Sequence, residues 1–168
     1  MSKAFTSEEA PDLIIPGRAA ARATPGVSRP ITRRGHETLL AELRELSELQ
    51  RPLLRSSDAP DAPACRAALE HRVRFLLDTL DSVRIVEPPD EEGFVYFGLS
   101  VRLAWEDGRE QALRVVGPDE ADAATGAISV EAPLARALLG RSVGEEVAVQ
   151  RPRGQEFATI LEIWRDRS

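Results

Sequence analysis

Leu69-Glu70-His71-Arg72-Val73-Arg74-Phe75-Leu76-Leu77-Asp78-Thr79-Leu80-Asp81-Ser82-Val83 is the stretch on which the fold turns. Leu69, Val73, Leu76, Leu80 and Val83 recur at 4-3-4-3 spacing, the seam of a coiled-coil helix. Upstream, Leu39, Leu43, Leu46 and Leu53 offer a matching seam, interrupted by Gln50. Between the two lies Ser56-Ser57-Asp58-Ala59-Pro60-Asp61-Ala62-Pro63. Pro60 removes a backbone donor and clashes with the preceding turn, so the first helix must end there. Pro63 is tolerated in the first turn of the next helix. The spacing predicts an antiparallel α-helical coiled-coil hairpin over residues 31–86. Its tip is at 56–63, and its arms run to Arg55 and from Pro63 to Arg84. Each arm is about 30 Å long at the α-helical rise.

Working outward, residues 1–30 hold Pro11, Pro16, Pro25 and Pro30 among alanines and glycines without sustained periodicity, and read as a flexible tail. Thr32 is placed to cap the first helix, with Glu37 near its positive end. Pro88-Pro89-Asp90-Glu91-Glu92-Gly93 breaks the helical pattern and marks a boundary. Beyond it, over residues 93–166, the pattern becomes that of strands. Phe94–Trp105 is rich in aromatic and β-branched residues, and Asp107-Gly108 turns the chain into Gln111–Val116. Ala127–Val130 reads as a strand, and Pro133–Leu139 as a short helix stopped by Gly140. Val147–Gln150 and Glu156–Trp164 form a second hairpin. The expected fold class is α+β: the coiled-coil hairpin, then a small antiparallel β domain with one short helix.

The 168 residues carry a net charge of −6, with nine positive and sixteen negative side chains after residue 85. Autonomous binding to duplex DNA is not expected of so acidic a chain, because phosphate affinity rests on clustered Lys and Arg. A basic protein partner suits it better. No apolar run approaches the roughly 20 residues needed to cross a bilayer, and no secretory signal is visible, so no membrane is expected and the cytoplasm is the default compartment. Cys65 is the only cysteine, which excludes an intramolecular disulfide and a multi-cysteine zinc site. His36 and His71 lie on the arms, away from any Ser or Cys at a strained turn, so a nucleophilic triad is not supported. Gly140-Arg141-Ser142-Val143-Gly144 lacks the lysine of a phosphate-binding loop. Asp58 and Asp61 remain. As hard oxygen donors at i and i+3 they suit Mg²⁺, which takes one or two carboxylates plus other ligands. The same pair equally reads as a polar tip that ends one helix and caps the next.

A resemblance bears on that choice. The chain resembles the bacterial Gre family of transcript cleavage factors, more closely its GreB branch. The matching residues are Ile31-Thr32-Arg33-Arg34-Gly35, Arg51-Pro52, Arg72-Val73-Arg74-Phe75-Leu76, Val95-Tyr96-Phe97-Gly98, Arg114 through Asp122, and Ile128 through Gly140. The resemblance implies an FKBP-like C-terminal domain docking on the rim of RNA polymerase's secondary channel, with Asp119, Glu120, Asp122 and Pro133 as docking residues. It implies that the coiled coil enters the channel and that an acidic pair at its tip, here Asp58 and Asp61, helps hold a Mg²⁺ ion shared with the polymerase. The protein would then have no catalytic site of its own and would stimulate the polymerase to cleave backtracked RNA. Arg51, Arg55, Arg66, Arg72 and Arg74 could meet the nascent RNA 3′ end or channel carboxylates, or be solvated arm faces paired with residues such as Glu48 and Glu70.

The chain departs from the family at the tip. The family reads Asp-x-x-Glu-Asn, whereas Asp61 replaces the Glu and Ala62 the Asn. The hairpin is also shorter by about seven residues per arm, or roughly 10 Å of reach. That departure sets a non-cleaving, channel-occupying regulator against a cleavage factor. An FKBP-like domain also raises peptidyl-prolyl isomerase activity, which requires an apolar, aromatic-lined pocket.

Overall fold

The computed structural model describes residues 28–56, 60–90, 93–151 and 154–166. It is an α+β structure with a two-stranded sheet, a helical pair and a five-stranded sheet. The five-stranded sheet consists of β3 (Ser100–Trp105), β4 (Glu110–Val116), β5 (Ala127–Ser129), β6 (Glu146–Arg151) and β7 (Gly154–Trp164), in the order β5-β4-β3-β7-β6.

Alternation makes this sheet one-sided. Val101, Leu103 and Trp105 of β3, Leu113 and Val115 of β4, Val147 and Val149 of β6, and Ala158 and Ile160 of β7 are buried together. Their neighbours Arg102, Ala112, Ala148 and Gln150 are exposed. Helix α4 (Pro133–Leu138) closes the core with Ala135 and Leu138. Asp107-Gly108 makes the β3–β4 turn with Gly108 at φ 82°, a conformation that glycine enters without strain. Along β3–β7 the register shifts so that Arg102 faces Glu162 while Leu103 faces Ile160. Leu161 is the extra residue of that bulge, and it is exposed while Ile160 is buried and Ile163 packs on the core.

Two expectations for this region change. β4 and β5 pair in parallel, so the sheet is mixed rather than antiparallel throughout. The expected strand from Phe94 begins only at Ser100. The chain turns at Phe97-Gly98, where Leu99 N–H donates to Tyr96 O, and Phe94 makes an isolated bridge to Ser142.

The helical part departs further from expectation. Helix α1 (Arg33–Arg44) gives way to a π-helical stretch at Glu45–Gln50, then to α2 (Arg51–Arg55); α3 (Ala62–Ser82) returns. The reason lies in Pro52, whose missing N–H and bulky ring cannot sit inside a uniform α-helix. The wider π turn, where Arg51 N–H reaches back to Leu46 O, lets Pro52 fall in the first turn of a new helix. The extra residue also rotates the face. Leu39 is buried and Leu43 and Leu46 pack beside it, but Leu53, expected on the seam, is 72% exposed. On the returning arm Leu69, Val73 and Leu76 are buried, and Leu80 and Val83 pack on the same cluster.

The arms are joined at their base by a feature absent from the sequence expectation. β1 (Arg29–Ile31) pairs in parallel with β2 (Val83–Ile85). Arg29 and Pro30 therefore belong to a strand rather than to a tail, and the returning helix ends at Ser82, not Arg84.

Candidate functional site

The helical pair is cross-tied side to side. Arg72 holds Glu42 with two hydrogen bonds of 2.6 and 2.8 Å, its guanidinium 5.2 Å over the Phe75 ring. Arg51 holds Glu70, the Nε bond being 2.7 Å, and the second guanidinium nitrogen also donates to that carboxylate. Arg66 donates to the Leu54 carbonyl at 3.0 Å. Half-exposed, solvent-screened pairs of this kind stabilise little. Their larger consequence is register: two planar forks and one backbone contact fix which turn of one arm faces which turn of the other.

Three of the five arginines expected to face RNA or channel carboxylates are thus engaged within the rod. Arg74 is exposed and has no such tie among the described residues; Arg55 sits on α2, its side chain outside the described residues. At the tip, Asp61 is exposed at the N-cap position of α3 and makes no capping hydrogen bond. Asp58 lies outside the described residues. Ala62 is 2% exposed, packed in where the resemblance would have an Asn. Among the described residues, no three His, Cys, Asp or Glu side chains converge on one point. Asp61 is therefore suited to contribute one hard oxygen ligand to a Mg²⁺ ion whose other ligands come from elsewhere, not to enclose one.

The other end of the rod is clamped to the five-stranded sheet. Glu120, only 5% exposed, accepts from Thr32 N–H at 2.7 Å, from the Thr32 hydroxyl, and from Gly117 N–H at 3.2 Å. Thr32 Oγ1 in turn caps α1 by accepting from Gly35 N–H at 3.0 Å. The Glu120 charge therefore sits at the positive end of α1. Beside it Asp119 accepts from Arg29 at 2.8 and 3.2 Å, and Arg29 also donates to Ser82 Oγ. The fit is close enough to demand glycine twice. A Cβ on Gly35 would fall 2.0 Å from Glu120 Oε2, and one on Gly117 2.0 Å from Pro30 O.

Two of the four expected docking residues are engaged within the chain. The carboxylates of Asp119 and Glu120 face inward and tie the two parts of the chain together, so they present no surface to a partner in this structure. Asp122 accepts from Ala124 N–H at 3.0 Å and caps the short 3₁₀ turn Ala123–Thr125. Pro133 is exposed at the start of α4. The clamp was missed because its halves lie 88 residues apart in sequence. One signal was there: a glycine in the first turn of a helix marks either a cost or a close approach.

Isomerase chemistry calls for an apolar, aromatic-lined pocket, whereas the aromatic contacts are dispersed: Phe94 and Tyr96 meet edge-on at 6.4 Å, and Trp105 and Phe157 line a separate small cleft. A cleft of about 520 Å³ is lined by Pro89, Leu99, Val143, Ile163 and Trp164, with Asp90, Gly93 and Arg165, and Trp164 is its single aromatic ring. Among the described residues, no helix is long and apolar enough to cross a membrane.

The family model "Transcription elongation factor, GreA/GreB, C-term" matches residues 89–165. Transcription elongation factor GreB of Yersinia pestis is 39% identical, across 81% of this chain and 88% of that protein. The chain belongs to the GreA/GreB family. The GreB of Pseudomonas aeruginosa is 37% identical, covering 79% of this Gre-family chain and 88% of its own length. A GreA of Syntrophobacter fumaroxidans is 35% identical, covering 80% and 96%. A solved structure of GreA factor homolog 1 (Gfh1) of Thermus thermophilus is 28% identical and covers 82% of this chain and 99% of its own, with a TM-score of 0.40. A score of that size carries no weight for the fold. This Gre-family chain is thus a transcription elongation factor by descent, with the clamp and the cross-tied arms as its particular geometry.

Proposed function

We propose that this Gre-family protein binds RNA polymerase at its secondary channel, its FKBP-like C-terminal domain (93–166) on the rim and its coiled-coil hairpin (31–86) inside. The observation that carries this reading is the rod itself: two arms held in register by Arg72–Glu42 and Arg51–Glu70, anchored at one end through Glu120. Such a rod can carry a carboxylate away from the sheet without bending, which is what a factor acting inside a narrow channel needs. The active centre belongs to the polymerase, and this chain supplies reach and ligands. Pro133 and Asp122 border the exposed edge on which docking would occur, and a partner of this kind places the protein in the cytoplasm.

Asp61, with Asp58, would hold one face of a Mg²⁺ ion shared with the polymerase. Bound there, the ion would neutralise developing charge on phosphate oxygens and lower the pKa of a water. Asp61's own contribution is an exposed carboxylate at the end of the rod that is not used to cap α3. Among the tip-flanking arginines whose side chains are described, Arg74 is the one left to meet the RNA 3′ segment, since Arg51, Arg66 and Arg72 are engaged within the rod.

A second reading is favoured by one observation: Ala62 is packed at the tip in place of a hydrogen-bonding side chain. On that reading the factor occupies the channel without promoting cleavage. RNA cleavage in stalled, backtracked elongation complexes separates the two, comparing wild type, Asp58→Asn/Asp61→Asn and no factor. Cleavage that disappears in the double variant establishes a reaching acid pair. Wild-type complexes that cleave no faster than the no-factor control establish the non-cleaving regulator.

A further inference from the structure

We infer that Glu120 is a positioning residue that aims the hairpin: it fixes the angle at which the rod leaves the sheet, independently of the rod's own integrity. Four observations converge on it. Its buried carboxylate takes three donors, of which two belong to Thr32 at the start of α1 and one to Gly117 on the sheet side. It therefore bridges the two parts rather than serving either alone. It acts at the N-terminus of α1, where a rotation of a few degrees is magnified along both arms. Gly35 is stripped of its Cβ at the point where α1 meets Glu120, and Gly117 where the sheet meets β1, so the interface admits one seating. Arg29–Asp119 sits beside this point, with side chains 11% and 4% exposed, and ties β1 to the same loop. The apolar interior of the rod is built from other residues, Leu39, Leu76 and their neighbours.

Removing Glu120 should leave both parts folded and lose the angle between them. The consequence for transcription rests on the polymerase reading above, but the angle does not, and the test separates them. Cys65, the single cysteine, lies in the first turns of α3 near the tip, and Gln111→Cys places a second thiol on an exposed position of β4. Spin labels on these two sites report the distance from tip to sheet. With Glu120 intact, the distance distribution should be single and narrow. In Glu120→Ala, and separately in Gly35→Ala, it should become broad or split. The helix content of each variant by circular dichroism should stay close to wild type, while its melting temperature falls, because the buried donors of Thr32 and Gly117 lose their acceptor or are pushed away from it. Glu120→Asp, which keeps the carboxylate and the Thr32 cap of α1 but shortens the reach by one methylene, serves if either variant fails to fold. Glu120→Gln retains the two backbone donors and should restore most of the narrow distribution.

A distribution that stays narrow in Glu120→Ala overturns the inference, as does a broadening matched by equal loss of helix content. If distances broaden as expected, the same variants should still bind polymerase yet lose any tip-dependent effect on elongation complexes. An effect on elongation that persists with a broad angle overturns the aiming role. If wild type has no effect on polymerase at all, the functional reading fails, while the distance result still decides the geometry.

Discussion

At the scale of single residues, the sharpest predictions concern charge. Arg29 and Asp119 form a nearly buried pair, so Arg29→Ala leaves a carboxylate desolvated without its fork. Breaking such a pair should cost about 3 kcal/mol, read as a fall in urea midpoint at unchanged m-value. Asp61→Asn, by contrast, should leave stability within about 0.5 kcal/mol of wild type, because the carboxylate makes no capping bond. An Asp61→Asn variant with a clearly lowered midpoint would show that the tip carboxylate is structural. Two exposed turns carry the pH signature. The Ser142 backbone N–H, then its hydroxyl and Arg141, hold the Glu145 carboxyl below its ordinary value. The Arg109 backbone N–H and guanidinium do the same for Asp107. A depressed folded pKa gives stability that is present above the unfolded value and lost as pH falls through the folded one. NMR titration of Glu145 should show a midpoint below the usual glutamate range. Ser142→Ala should raise it part of the way, since the backbone donor remains.

At the scale of elements, the returning arm was legible and the outgoing arm only half so. Leu69, Val73 and Leu76 are buried as their spacing requires. The first seam failed at Leu53 because periodicity assumes a constant turn, and the π stretch before Pro52 inserts one residue into it. The proline was visible; that the chain would widen a turn rather than end the helix was not. This difference has a measurable consequence. Leu76→Ala should cost about 2–5 kcal/mol as a core truncation. Leu53→Ser should change stability by no more than about 0.5 kcal/mol. A large loss at Leu53 would restore the continuous seam. In the sheet, Asp107-Gly108 and the Pro133 to Gly140 frame announced their turn and helix, since both act through local backbone chemistry. The parallel β1–β2 pair could not be read, because three residues carry too little alternation to mark a strand.

At the scale of the whole molecule, the chain is a rod fixed to a sheet, and the fixing was the part hidden from the sequence. Composition and periodicity gave two regions and a boundary at Pro88-Pro89. They gave no angle, because the residues that set it, Thr32, Gly35, Gly117 and Glu120, are far apart in sequence and act through one buried carboxylate. Glu120 is engaged by Thr32 and Gly117, and Asp119 by Arg29, so both carboxylates lie at an internal joint. Of the expected docking residues Pro133 is exposed, and if the proposed docking uses it, Pro133→Glu should weaken polymerase binding without lowering the melting temperature; unchanged binding would place the docking edge elsewhere. Occupancy of the polymerase channel is tested by adding increasing Asp58→Asn/Asp61→Asn protein to backtracked elongation complexes already carrying a cleavage-competent Gre factor. The double variant keeps the rod and clamp and lacks the carboxylates, so cleavage should fall with its concentration towards the no-factor rate. Cleavage that holds steady at saturating competitor would contradict the account.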